Sequence, residues 1–214
     1  MIKLKINESR IAKVSTPLIL IGVLKGYIKN PLVFILKEKM KFKKYKKKFI
    51  DIDLPDDLIE TTGFIAWLYK SLKNEIDDKK AYEIIRIALL TSGLAVQQAN
   101  FRNVEDERTF PNLIKNQKKA NSEGSTKYNT MEIIEESTVK YHFHVKRCVF
   151  YEIFQYFDVP ELIKIMCAVD NAIFNTYLAD KVFFNRGGSR QTIPEGSDFC
   201  NFIITKKIVD FMDL

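Results

Sequence analysis

The hydrophobic period of this chain changes near residue 138, and that change limits the folds open to it. Thr138–Val149 reads TVKYHFHVKRCV, with Val139, Tyr141, Phe143 and Val145 alternating with Lys140, His142, His144 and Lys146. A period of two marks a strand with one buried face. Earlier in the chain the apolar positions recur at helical spacing. Leu58–Asn74 reads as a helix opened by Pro55 and Asp56/Asp57. Lys79–Gln98 reads as another, with Ile84, Ile87, Ala88, Leu94 and Ala95 at its apolar positions. Asn112–Ala120 is a short polar segment, and Asn121–Asn129 (NSEGSTKYN) is a loop. After the strand, Phe150–Phe157 and Pro160–Tyr177 read as helices, with Pro160 at the first helical position and Glu161 in the first turn. Lys181–Asn185 is a short strand, Gly187-Gly188-Ser189 and Pro194–Ser197 are turns, and Phe199–Thr205 is a closing strand. The C-terminal half is therefore β-α-α-β-β. The expected class is α+β, with a helical N-terminal part packed on a small antiparallel sheet.

Charge divides the chain at a different place. The net charge is +7, but residues 1–50 hold 14 Lys/Arg against only Glu8 and Glu38, so the other 164 residues are net acidic. We read 1–50 as a basic helical segment and 51–214 as an α+β domain. Thr16–Leu36 is apolar, yet Pro17, Lys25, Lys29, Asn30 and Pro31 interrupt it, which a spanning helix does not tolerate. Ile19–Tyr27 and Leu32–Met40 read instead as two helical pieces. The run KFKKYKKK over Lys41–Lys48 has two readings. One is a contact, through residues 37–48, with an anionic membrane surface or an acidic partner. The other is the solvated end of a helix with Phe42 and Tyr45 packed on one face. No nucleic-acid-binding motif accompanies the run, so no specific nucleic-acid partner is expected. Three cysteines cannot all pair within one chain, and no secretory signal opens the sequence, which points to free thiols in the cytoplasm.

All three cysteines, Cys148, Cys167 and Cys200, lie in the C-terminal third, among residues with chemical uses. Cys148 stands where a helix begins, beside Lys146 and Arg147, and the helix dipole and these cations favour its thiolate. Cys167 and Asp170 are three apart on one helical face. Ile, Met and Phe around Asp170 would desolvate the acid and make it a proton acceptor. Arg186 and Arg190 flank the Gly-Gly-Ser turn, where a guanidinium can grip a carboxylate. Thr192, Gly196 and Asp198 follow, and Gly196 is expected at positive φ. His142 and His144 share one strand face and with Cys148 or Cys167 are competent metal ligands; two solvent-facing histidines are the alternative.

Three stretches carry a resemblance: FHVKRCVFYE (143–152), VPELIKIMCAVD (159–170) and FFNRGGSRQTIPEGSDFCNF (183–202). They resemble the L-2-amino-thiazoline-4-carboxylic acid hydrolase family. Its pattern is a Cys followed four residues later by Glu, Pro-Glu-Leu, Cys-x-x-Asp, Arg, Thr-Ile, Gly and a final Cys-Asp-Phe. The last motif here reads Cys200-Asn201-Phe202, so one acid is replaced, and either Arg186 or Arg190 takes the arginine position. The resemblance implies a hydrolase that opens a C–N or C–S bond of a small cyclic amidine or isothiourea bearing a carboxylate. It implies Cys148 or Cys167 as nucleophile, Asp170 as base and Glu152 as an orienting group. It further implies Arg186 or Arg190, Thr192, Cys200 and His144 in substrate binding, and no cofactor. A small-molecule-binding module that keeps the fold without turnover is the alternative.

Overall fold

The computed structural model describes residues 17–49, 53–104 and 108–207. The parts of the basic segment at residues 1–16 and 50 lie outside the described residues. The chain divides into two compact units, each built from two stretches: Met1–Val96 with Val149–Ala168, and Gln97–Cys148 with Val169–Leu214. The class is α+β, as expected.

The first unit is helical. Helix α1 covers residues 17–24, and α2 runs Pro31–Phe49. Leu32–Met40 was too short a reading of α2, because nothing in the basic run breaks a helix and lysines are favoured in the last turns. Phe42 is buried and Tyr45 half-buried, so the packed-face reading of these two aromatics holds. The short turn α3 (Asp56–Leu58) passes through a π-helical turn, Ile59–Gly63, into α4 (Phe64–Lys73). At Gly63 a Cβ would stand 3.2 Å from the Phe157 ring and 3.4 Å from the Phe42 ring. The missing side chain lets α4 close on an aromatic cluster in which the Phe42 ring centre lies 5.7 Å from Phe64, 6.0 Å from Trp67 and 6.1 Å from Phe157. Helix α5 is Asp78–Val104, and Asp77 Oδ1 caps its start by accepting from the amides of Lys79 and Lys80. Helix α7 (Val149–Tyr156), a 3₁₀ turn (Pro160–Leu162) and the first residues of α8 (Ile163–Thr176) complete the unit.

The second unit holds the sheet. Helix α6 (Phe110–Glu123) starts at Thr109, whose Oγ1 accepts from the Asn112 amide, and it reaches into the segment read as a loop. Strands β1 (Thr130–Glu136), β2 (Lys140–Arg147), β3 (Val182–Asn185) and β4 (Cys200–Lys206) pair antiparallel in the order β1-β2-β4-β3. The β-α-α-β-β order is present as β2-α7-α8-β3-β4. Strand β1 is absent from the sequence reading for a physical reason. It is an edge strand with nearly every residue exposed, and a register shift between Ile133 and Glu135 breaks its alternation, so it has no apolar face to read. On the inner face, Phe143 stacks on Phe202 at 4.6 Å and 12°, and Phe174 meets Phe184 at 5.0 Å. Such pairs add about 0.5–1.5 kcal/mol each beyond the area they bury. Among the described residues no helix is long and apolar enough to cross a membrane.

One acid of the basic segment has a structural use. Glu38 in α2 is only 4% exposed and accepts hydrogen bonds from Trp67 Nε1 (3.0 Å), Ser71 Oγ (2.7 Å) and Lys41 Nζ. Burial pushes its pKa up, but the Lys41, Ser71 and Trp67 donors and the Lys41 charge outweigh burial and hold it below 4.5. Its stabilisation is therefore present above that pH and lost as pH falls through the lower folded value. Glu38→Ala leaves the half-buried Trp67 Nε1 without its partner, while Ser71 Oγ keeps the Trp67 carbonyl, and should cost about 1–3 kcal/mol in urea unfolding at pH 7, with a smaller difference at pH about 3.

Candidate functional site

The inner face of the sheet, α6 and the C-terminal part of α8 enclose a cavity of about 60 Å³ within the second unit. Phe143, Val145, Phe202, Ile173 and Phe174 form its apolar wall, and Gln117, Asn121 and Thr126 are among its polar groups. Asp170 also lines it. Helical spacing puts Asp170 on the same side of α8 as Ile173 and Phe174. Burial raises its carboxyl pKa to about 6, and the charge of Arg186 only partly opposes this. The desolvated acid expected from the sequence is therefore present.

Arg186 follows β3, and its guanidinium carbon lies over the sheet's aromatic face. Its Cζ is 3.7 Å from the centre of Phe202 and 5.3 Å from that of Phe184. Nη1 donates to the Asn201 carbonyl (3.3 Å) and Nη2 to Asn171 Oδ1 (3.1 Å). Two hydrogen bonds and the ring contact hold the cation, and three of its five N–H groups have no protein acceptor among the described residues. Cys200 is buried and accepts a hydrogen bond at Sγ from the Ile193 amide at 3.2 Å. Burial pushes its thiol pKa up, against that amide and the Arg186 charge. Cys200 is thus a neutral thiol in the same electrostatic neighbourhood as Asp170 and Arg186. Thr192 holds the turn beside it by donating to Glu195 Oε2 at 2.7 Å, and Gly196 closes that turn at φ 95°, as expected.

The strand register sets His144 apart from Cys200. Asn201 pairs with His144 and Cys200 with Val145, so His144 and Cys200 face opposite sides of the sheet. On the outer side the His144 ring stacks on Phe199 at 3.8 Å. His142 Nε2 lies within hydrogen-bond distance of Asn201 Oδ1, at 2.8 Å. Burial and then the neighbouring His142 and Lys146 hold His144 below the usual imidazole pKa. Its Nδ1 is buried without a hydrogen-bond partner. Among the described residues no group of three or more His, Cys, Asp or Glu side chains is placed to hold a metal ion, so a centre built from His142, His144 and Cys148 or Cys167 lacks its geometry. Arg190 is exposed, in a turn at φ 54°. Half-buried Cys148 directly precedes α7 and belongs to the second unit. Cys167 and Glu152, also half-buried, belong to the first. Asn171 and Phe202 are contributors that the sequence reading missed. An amide and a phenyl carry no chemical signature, and only strand alternation placed Phe202 beside Cys200's neighbours.

A buried carboxyl of raised pKa costs stability when it ionises. Between pH 3.8 and about 6 the native state binds more protons at Asp170 than the unfolded chain does, so stability falls as pH rises through that window. Asp170→Asn should therefore be more stable than the parent at pH 8, by at most about 3 kcal/mol, and melt at a higher temperature, and the gap should vanish by pH about 4. Thermal melts at the two pH values check this.

No curated protein and no solved structure matches the chain. A family model does match, over residues 57–204, the description being L-2-amino-thiazoline-4-carboxylic acid hydrolase. The match spans α4 to β4 and takes in the Asp170, Arg186 and Cys200 neighbourhood. With more than two thirds of its length covered, the chain belongs to the L-2-amino-thiazoline-4-carboxylic acid hydrolase family.

Proposed function

We propose that the protein hydrolyses a small cyclic amidine or isothiourea that carries a carboxylate, with Asp170 as proton acceptor and Arg186 as carboxylate anchor. The observation that carries this reading is a carboxyl with a pKa of about 6, lining a cavity in the neighbourhood of an immobilised guanidinium. An acid of that pKa is half ionised near pH 6. It can take a proton at neutral pH and return it with more driving force than an ordinary carboxylate has. In the reaction a nucleophile adds to the ring carbon between nitrogen and sulfur, and the ring C–N or C–S bond breaks. The ring heteroatom that leaves receives a proton. One water is consumed and the product is a carbamoyl amino acid. The nucleophile is the thiolate of Cys148 or Cys167, with the acyl-type adduct then released by water. If water attacks directly, Asp170 takes its proton. Cys200, a buried neutral thiol, takes no part in the attack.

The cavity of about 60 Å³ holds roughly two waters, below the usual range for ligand sites. A ring with a carboxylate therefore needs Gln117, Asn121 or Thr126 to swing aside, breaking the bonds from Gln117 to Asn121 (3.0 Å) and from Thr126 to the Ala120 carbonyl (2.8 Å). The second reading is a binding module without turnover, which needs the same rearrangement. Turnover separates the two, and thiol titration then tells the cysteine route from direct attack by water, because a catalytic thiolate titrates well below ~8.5.

The direct assay is turnover of 2-amino-thiazoline-4-carboxylate and related amidines. For the parent, kcat/KM should rise about tenfold per pH unit below 6 and level off above it, following the ionisation of Asp170. Asp170→Asn should lose about 10²–10⁴-fold in kcat/KM. Arg186→Gln should raise KM by about tenfold or more for carboxylate substrates and leave amidines without a carboxylate unaffected. Whichever of Cys148→Ser and Cys167→Ser abolishes turnover identifies the nucleophile, and if neither does, water attacks directly. Full activity in Asp170→Asn would end this proposal.

A further inference from the structure

Helix α2 has one face in the core of the first unit and an opposite face with unusual contents. Pro31, Glu38 and Phe42 are buried on one side. On the other, Leu32, Leu36 and Met40 stand four residues apart in one row, with Val33 beside them. They are 54%, 52%, 64% and 48% exposed respectively, an apolar strip where a soluble helix places charge. Lys43, Lys44 and Lys47 continue the row beyond Met40, and Lys37 and Lys39 border it. None of these five lysines has an ion pair among the described residues, whereas Lys41 pairs with Glu38, and Lys46 with Asp56 and Glu60. At the basic end lies an open groove of about 550 Å³, lined by Lys43, Lys46, Lys47, Leu54 and Ile59 together with the two acids that occupy Lys46.

We infer that this face of α2 docks on an anionic lipid surface, with the helix lying in the plane of the interface. Aliphatic groups in one row with lysines along and beyond them are the composition of an interfacial helix. Leu, Val and Met sink to the acyl boundary while the lysine stems run outward to phosphates. The groove has room for a headgroup phosphate between Lys43 and Lys47. A nucleic acid would use the lysines but not the aliphatic strip, since phosphate tracking gains nothing from leucine. The contact is peripheral, as no described helix is fit to span. It is independent of the hydrolase reading, because none of these residues belongs to the Asp170 neighbourhood.

Co-sedimentation of the full chain with vesicles tests it. Binding is expected to vesicles containing about one phosphatidylserine in three, and not to pure phosphatidylcholine, with release at about 1 M salt. Lys43→Glu/Lys47→Glu should lower the partition coefficient by at least about 25-fold, since each lysine at such a surface is worth roughly fivefold. Leu36→Ser/Met40→Ser should lower it about tenfold or more. All four positions face solvent, so both variants should keep the parent's melting temperature. Parent protein left in the supernatant with anionic vesicles overturns the proposal, as does equal binding to neutral lipid. Unchanged binding by the serine variant also overturns it. So does a dimer in sedimentation velocity that the serine variant splits, which would make the strip a self-association face.

Discussion

Side chains alternate across a strand, so the pairing of Phe143 with Phe202 decides the face of every residue on β2 and β4. Phe143 and Phe202 must both turn inward to stack, and Val145 opposite Cys200 and Tyr141 opposite Ile204 then turn inward with them. His142, His144 and Asn201 are forced to the other side. A slip of one residue would bring the histidines into the apolar wall and expel Cys200 from it. The aromatic ladder completed by Phe174 and Phe184 penalises that slip heavily, so the register is secure. The same ladder gives Arg186 its seat. A guanidinium needs a flat partner to lie still, and Phe202 offers one only because the register turns it that way.

The environment of Asp170 follows from this arrangement. Apolar rings from the sheet and from α8 deny the carboxylate its water, and no hydrogen bond among the described residues compensates it. Arg186 stands near enough to be felt but spends donors on Asn171 and Asn201 instead. The acid is left between two states, neither of which the protein fully stabilises. Glu38 in the first unit shows the contrary solution. It is buried as well, yet three donors satisfy it and keep it ionised, which makes it a structural group. Burial alone does not decide whether a carboxyl is held ionised. The count of donors does.

Much of this was legible in residues. The alternation of Tyr141, Phe143 and Val145 announced β2, and the apolar neighbours of Asp170 announced its high pKa. Pro160 and the glycine turns located the ends of elements. What stayed hidden depends on distance along the chain. Which face of β4 meets which face of β2 is a matter of register between residues about sixty positions apart, and no local pattern carries it. That is why His144 was grouped with Cys200. Arg186 and Arg190 are equivalent as letters beside a Gly-Gly-Ser turn, and only the fold seats one on a ring and leaves the other in solvent at positive φ. Strand β1 was invisible because it buries almost nothing. Helix α2 was read short because a lysine run looks like an ending, although lysine is a sound helix former.

Asn201 occupies the position where the family pattern has an acid, and it touches both sides of the sheet. Its backbone carbonyl receives Arg186 on the inner side, and its side-chain oxygen lies within hydrogen-bond distance of His142 on the outer. Its amide nitrogen, Nδ2, would lie 2.8 Å from any Cβ at Gly187, a residue already at φ 79°. The sheet is therefore no barrier between its surfaces. Exchanging His142 or adding a side chain at 187 would therefore turn the Asn201 carboxamide, which both positions touch, while the carbonyl that receives Arg186 stays with the strand.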